Sequence, residues 1–230
     1  IPGGDLSLVG SGPTFVPEIK RTISSNLDFG SNINKFFSEY KKILIQRGDQ
    51  NAIVLKSVCI GSSAILLDSV RDYIEKKYKF NLLLLSSEFE GDASSLANFH
   101  ASILKEIKRF DRPIKKPAII VSSGEAHVKL PKNHGRGGRN SHFALALAKE
   151  IEGVPGITAL VADTDGIDGF EKNAGAIISG ETIKVLNKKA PSKDFLRDCD
   201  SFSAHKIASS LFYSGATGIN LNDIRIAIVR

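Results

Sequence analysis

Residues 135–140, Gly-Arg-Gly-Gly-Arg-Asn, place two guanidinium groups three positions apart among three glycines, and the apolar run SHFALALA follows directly. Glycine lets backbone N–H groups approach a bound group closely, and a helix N-terminus favours negative charge. Arg136 and Arg139 add planar, bidentate donors suited to phosphate or carboxylate oxygens. Arg136, Gly137, Gly138 and Asn140 are therefore expected to hold a phosphate or another anion. The spacing is neither a Walker A loop nor G-x-G-x-x-G, because Asn140 stands where the last glycine belongs. A solvated loop is the competing reading.

Four other stretches carry candidate chemistry. DTDGIDG (163–169) follows the apolar run ITALVA, so Asp163, Asp165 and Asp168 are expected at the end of a strand, where α/β proteins bind ligands. Carboxylates there suit a hard cation such as Mg²⁺ or a substrate hydroxyl, and a plain acidic turn is the alternative. SGATGIN (214–220) brackets Thr217 between Gly215 and Gly218, which suits an anion-binding nest or a tight turn. SSGEAHV (122–128) sets Glu125 at a strand end, as a proton acceptor, a metal ligand or a partner for backbone. GGDLSLVGSGPT (3–14) is a glycine-rich loop that contains Asp5 and Ser11. His100 and His205 fall on amphipathic helices and read as structural. His127, His134 and His142 match no metal spacing, and no nucleophile elbow or Cys–His pairing supports a hydrolase.

The elements that must position these groups alternate along the chain. NLLLLSS (81–87), AIIVSSG (118–124), ITALVAD (157–163), SLFYSG and RIAIVR read as strands, as does VLKSVCI (54–60). Helical periodicity runs through 33–46, 64–78, 90–110 and about 140–151, and AGAIIS (174–179) reads as one further short helix. Fully apolar strands between helices imply an α/β fold with a parallel or mixed sheet and helices on both faces. RFDRPIKKP (109–117), charged and proline-punctuated, is the best linker candidate.

Composition narrows the class. Of 230 residues, 42% are hydrophobic and 24% charged, which excludes disordered and collagen-like chains. Residues 101–150 hold eleven Lys or Arg against four Asp or Glu, a local charge of +7 beside a formal total of +6. That excess surrounds glycines rather than aromatic platforms, which favours a small phosphorylated ligand over nucleic acid. No apolar run is long enough to span a membrane. Two cysteines are too few for a disulfide framework and, without a visible secretory signal, a cytoplasmic setting is expected. A start at Ile1 and the lack of any Met suggest a fragment.

Taken in order, DLSxxxSGPT, xGEAxV, GRGGRNxxFALALA, ADTDGIDGxxxxAGAI and SGATGxNxNDIRI resemble the class II glycerate kinases, whose C-terminal portion is the MOFRL domain and whose members also carry the name hydroxypyruvate reductase. The resemblance covers essentially the whole chain. It implies a Rossmann-like remnant over residues 1–110 and a MOFRL-type α/β domain over 111–230, together the C-terminal part of a longer protein. It further implies phosphorylation of D-glycerate at the 2-hydroxyl by ATP with Mg²⁺, a small-molecule substrate and a nucleotide as partners, and a homodimer as one assembly. By position, Arg139 is then the catalytic residue that stabilises the transferring phosphoryl group. Asp163, Asp165 and Asp168 surround metal or substrate hydroxyls. Gly215, Thr217, Gly218 and Asn220 line the same cleft, with Asn222 and Asp223 behind.

The chain departs from the family pattern at Gly4, Ala126, Ser141, His142, Ala216 and Ile219, which thins the polar lining. Two alternatives follow: a kinase for another small hydroxy acid, and a nucleotide- or metabolite-binding homologue without turnover. A reductase is disfavoured because the chain has no dinucleotide fingerprint.

Overall fold

The computed structural model describes residues 35, 59–191 and 193–230. Asp5, Ser11 and Gly4 lie outside them, as does most of the helix expected over 33–46 (Lys35 is helical) and of the strand expected over 54–60 (Cys59 and Ile60 are not in a strand). From Ile60 to the C-terminus the described chain forms one compact unit.

Eleven elements follow one another: α1 (Ser63–Lys77), β1 (Asn81–Asp92), α2 (Ala93–Phe110), β2 (Ala118–His127), α3 (Arg139–Glu150), β3 (Ile157–Asp163), β4 (Gly175–Ser179), α4 (Thr182–Lys189), α5 (Ser201–Ala208), β5 (Leu211–Phe212) and β6 (Asp223–Val229). The strands make one mixed sheet in the order β1-β2-β6-β3-β4-β5. Only β1 and β2 pair in parallel; β6 enters between β2 and β3 antiparallel to both. The expected α/β fold is present, with α2, α3, α4 and α5 over one face and α1 over the other.

Local sequence explains where the elements stop. Ser62 caps α1 by accepting from Ile65 N at 3.2 Å, and Asp92 caps α2 by accepting from Ser95 N at 2.8 Å. Asp111 ends α2 in the left-handed conformation, and its N–H returns to Ile107 O. The proline-punctuated stretch that follows joins α2 to β2 within this one sheet, so the boundary expected at 110/111 falls inside a compact unit.

AGAIIS is a correction. Residues 175–179 form β4, paired antiparallel with β3, rather than a helix. Adjacent Ile177 and Ile178 point to opposite faces, one half-exposed and one buried, which is the two-residue period of a strand.

The helix that follows the glycine-arginine stretch, α3, is buried from Asn140 to Ala148 without a break. A helix apolar on all sides belongs inside a protein, and α3 packs between α2, the sheet and α5. Phe143 is fully buried at its first turn, and trimming such a ring to Ala costs about 3–5 kcal/mol. The start of α3 is therefore a rigid platform.

Candidate active site

Three adjacent strands bring their carboxylates to one end of the sheet. Asp163 closes β3, Asp223 opens β6 directly opposite it, and Gly124–Glu125 lies across from Asp223 on β2. Arg139, the first residue of α3, reaches over this edge and meets all three. Its Nε donates to Asp223 Oδ1 at 2.8 Å, its Nη1 to Glu125 Oε1 at 3.0 Å and its Nη2 to Asp163 Oδ2 at 2.9 Å. Burial works against the guanidinium charge, yet Asp223, Asp163 and Glu125 together hold its pKa above the ordinary arginine value. A guanidinium has five N–H donors. Three are used here, so one on each of Nη1 and Nη2 remains for a ligand.

These groups line an open cleft of about 1000 Å³, whose wall carries Glu90, Glu125, Asp163 and Asp165 against Arg139. Gly137, Gly138, His142, Gly169 and Asn220 line it as well. Burial pushes the Asp163 carboxyl up to about 7 in spite of the Arg139 contact, with Asp223 adding to the shift. The cleft is short of positive charge.

Behind the wall, Asp223 is fully buried and accepts four bonds. Oδ1 takes Arg139 Nε and Asn140 Nδ2, both at 2.8 Å, while Oδ2 takes Ala126 N and Arg225 Nη2, both at 3.1 Å. The sequence placed Asp223 only in the background and passed over Arg225. A signal was present: in DIRIAIV, Asp223 and Arg225 share a phase with Ala227 and Val229, the buried face of β6.

The start of α3 differs from the expected open anion site. Asp168 Oδ1 accepts from Asn140 N at 2.9 Å and Oδ2 from Ser141 N at 2.7 Å. The carboxylate is buried, which raises its pKa against those bonds, and it serves as the cap that Gly138 cannot supply. The glycines serve this packing. A Cβ on Gly135 would overlap Asp200, one on Gly137 the Ser201 hydroxyl, and one on Gly138 the Asp168 carboxylate. Arg136 pairs through Nε and Nη2 with Glu171 at 2.7 and 2.8 Å and lies 4.6 Å from the Phe202 ring centroid. Asn140 is buried beneath the cleft rather than in its wall.

The C-terminal glycine loop is stitched to the acidic loop. Thr217 N donates to Asp165 O at 3.1 Å, Thr217 Oγ1 to Thr164 O at 2.6 Å and Asn220 Nδ2 to Asp165 Oδ2 at 3.3 Å. Thr164 Oγ1 donates to Asn222 O and accepts from Leu221 N, each at 2.7 Å, a role the sequence reading missed. Gly215 and Gly218 hold φ of +74° and +77°, where a side chain is disfavoured, and Gly166 at +91° faces the Gly215 carbonyl closely. Residues 135–140, 163–169 and 214–220 thus meet around one cleft, with Asn220 as the third stretch's contribution to its wall.

His142 stands where the family pattern has a carboxylate. Its Nε2 meets Ser94 Oγ at 3.1 Å, its Nδ1 is buried without a partner among the described residues, and burial lowers its pKa. His100 and His205 are structural, as expected. His100 joins Leu96 O and Ser122 Oγ; His205 joins Ser210 Oγ and Ser141 O.

The fold is of the α/β class, and the arginine set among carboxylates lies at strand ends, where proteins of that class place their ligands. The MOFRL family matches residues 118–223, within which all of the Arg139 partners fall. D-glycerate 2-kinase of Thermotoga maritima is 32% identical over 99% of this chain and 54% of its own length. A protein of Agrobacterium vitis that bears a hydroxypyruvate reductase name is also 32% identical, over 100% of this chain and 60% of its own. The crystal structure of glycerate kinase from Thermotoga maritima superposes with a TM-score of 0.71 at 33% identity, covering 84% of this chain and 50% of that one. Residues 118–223 match the MOFRL family, and the chain is similar over its whole length to these proteins, of whose own length it spans between half and two thirds.

Proposed function

We propose that the protein containing this chain transfers the γ-phosphoryl group of ATP to the 2-hydroxyl of D-glycerate, and that this chain is its C-terminal part. The observation that carries the reading is Arg139, fixed by three carboxylates at the cleft wall with one unused N–H on each terminal nitrogen. In the transfer, the glycerate oxygen bonds to Pγ, the bond from Pγ to the bridging oxygen breaks, ADP leaves with that electron pair, and the hydroxyl proton passes to water. The two unused N–H groups would meet the equatorial phosphoryl oxygens, where charge accumulates, and a guanidinium already held in place needs no reorganisation to do so.

The residues present fit Mg²⁺. Among the described residues no three His, Cys, Asp or Glu side chains are grouped to hold a metal by themselves. Mg²⁺ in kinases, however, takes one or two carboxylates and completes its shell with water and phosphate. Asp163 and Asp165 would hold it, and the high proton affinity of Asp163 marks a buried carboxylate short of positive charge. Asp168, with both oxygens on α3, supports the site from below. Bound Mg²⁺ would bring phosphate to a wall this negative and neutralise charge on it. Glu125, Asn220 and the Gly215–Gly218 loop would shape the glycerate side, and the described helices include none long and apolar enough to cross a membrane.

The full-length protein supplied with D-glycerate, ATP and Mg²⁺ is expected to release ADP and form 2-phosphoglycerate. ATP binding without turnover on glycerate would refute the reading, and transfer only to another hydroxy acid would correct its substrate.

A further inference from the structure

Arg225 is a buried cation that the proposed reaction leaves without a task. It is 3% exposed, its guanidinium lies 4.9 Å from the Phe143 ring centroid, and its Nη2 bonds Asp223 Oδ2. Its Nε and Nη1 are buried and have no partner among the described residues. As a pair, two buried charges are weak evidence of a role in stability alone, since both together often give way to apolar residues without cost.

Its two contacts lead to the same place. Asp223 presents Oδ2 to Arg225 and Oδ1 to Arg139, so one carboxylate bridges the two guanidinium groups. The carboxylate torsion of an Asp is soft, and with Arg225 gone only the Ala126 N–H on Oδ2 and Asn140 Nδ2 on Oδ1 would be left to fix the plane in which Oδ1 meets Arg139. Phe143, under the guanidinium, stands one helical turn after Arg139 on α3. Arg225 thus grips Arg139 through its partner and through its helix.

We infer that Arg225 is a positioning residue, which sets the direction of the Arg139 guanidinium through Asp223 and Phe143. The inference rests on the reading of Arg139 as the phosphoryl clamp. A guanidinium misplaced by an ångström still binds substrate but no longer meets the transition state.

The test uses the full-length protein and the variants Arg225→Met and Arg225→Lys. Met removes the charge and both unpartnered donors but leaves Asp223 buried with Arg139 as its remaining cation, so a lower Tm with a cooperative melt retained is expected. Its kcat is expected to fall at least about tenfold while KM for glycerate stays within about threefold. Lys keeps a charge beside Asp223 and is expected to recover part of kcat. A second readout needs no turnover: with ¹⁵N-arginine labelling, the Arg139 Nε–H, identified by its loss in Arg139→Lys, should exchange with solvent at least about tenfold faster in Arg225→Met. An unchanged kcat in the Met variant, a Lys variant as slow as Met, or unchanged Nε–H exchange would overturn the inference. If the wild type does not turn over glycerate, the kinase reading fails by itself and the exchange measurement still decides the role of Arg225.

Discussion

At Gly138 the backbone is extended, a conformation open to any residue, so the need for glycine there is steric and comes from Asp168 on the other side. The residue types around Arg139 suggested backbone laid open to a ligand; the structure shows backbone packed against carboxylates and a serine. Both patterns leave the same trace in a sequence, because glycine records close approach without recording what approaches. Gly138→Ala is expected to push the Asp168 carboxylate off the first N–H groups of α3, destabilising the fold by about 2 kcal/mol and lowering turnover through Arg139. Denaturant unfolding with kinetics on the same variant checks it, and unchanged stability would show that the loop has room. Arg139, Glu125 and Asp163 were legible because charged residues at predicted strand and helix ends have few other uses. Asp223 was placed only in the background and Arg225 was passed over: their phase is that of Ala227 and Val229, but charges in an alternating strand read as its outward face until the fold is seen.

Among elements, the long periodic ones were legible from the sequence. β2, β3 and β6, with α1, α2 and α3, appear where apolar runs and helical periodicity put them. β1 runs five residues further than the expected 81–87, to Asp92, because its parallel partner β2 also continues. Short elements were not legible. AGAIIS contains too few residues to separate a period of 3.6 from one of 2, and its pairing with β3 decides the matter. α4 drew no notice, since eight residues with five polar ones resemble a loop. What no local pattern contains is the order of the sheet. The insertion of β6 between β2 and β3 is what sets Asp223 beside Asp163 and Glu125, and it makes three distant stretches one site.

For the molecule as a whole, local charge proved a poor guide to the site. The basic excess of residues 101–150 includes Arg109, Arg112 and Lys115, all exposed around the end of α2, whereas the cleft wall is acidic. Buried histidines tie global stability to pH instead. Burial holds His205 neutral down to about 4, while in the unfolded chain it titrates near 6.5. Its contribution is therefore complete above pH 6.5 and declines as pH falls toward 4, because the unfolded chain takes up a proton that the folded chain refuses. The stability advantage of the wild type over His205→Gln should shrink by about 2 kcal/mol between pH 7 and pH 4.5; an advantage independent of pH would show that His205 titrates in the fold as it does in the unfolded chain. The central claim is that the arginine clamped at the sheet edge performs phosphoryl transfer. Its most direct test is the turnover of full-length Arg139→Ala with D-glycerate, ATP and Mg²⁺, beside its thermal melt. A fall in kcat of at least about 10²-fold with a cooperative melt retained is the predicted result, and turnover within a few-fold of the wild type would contradict it.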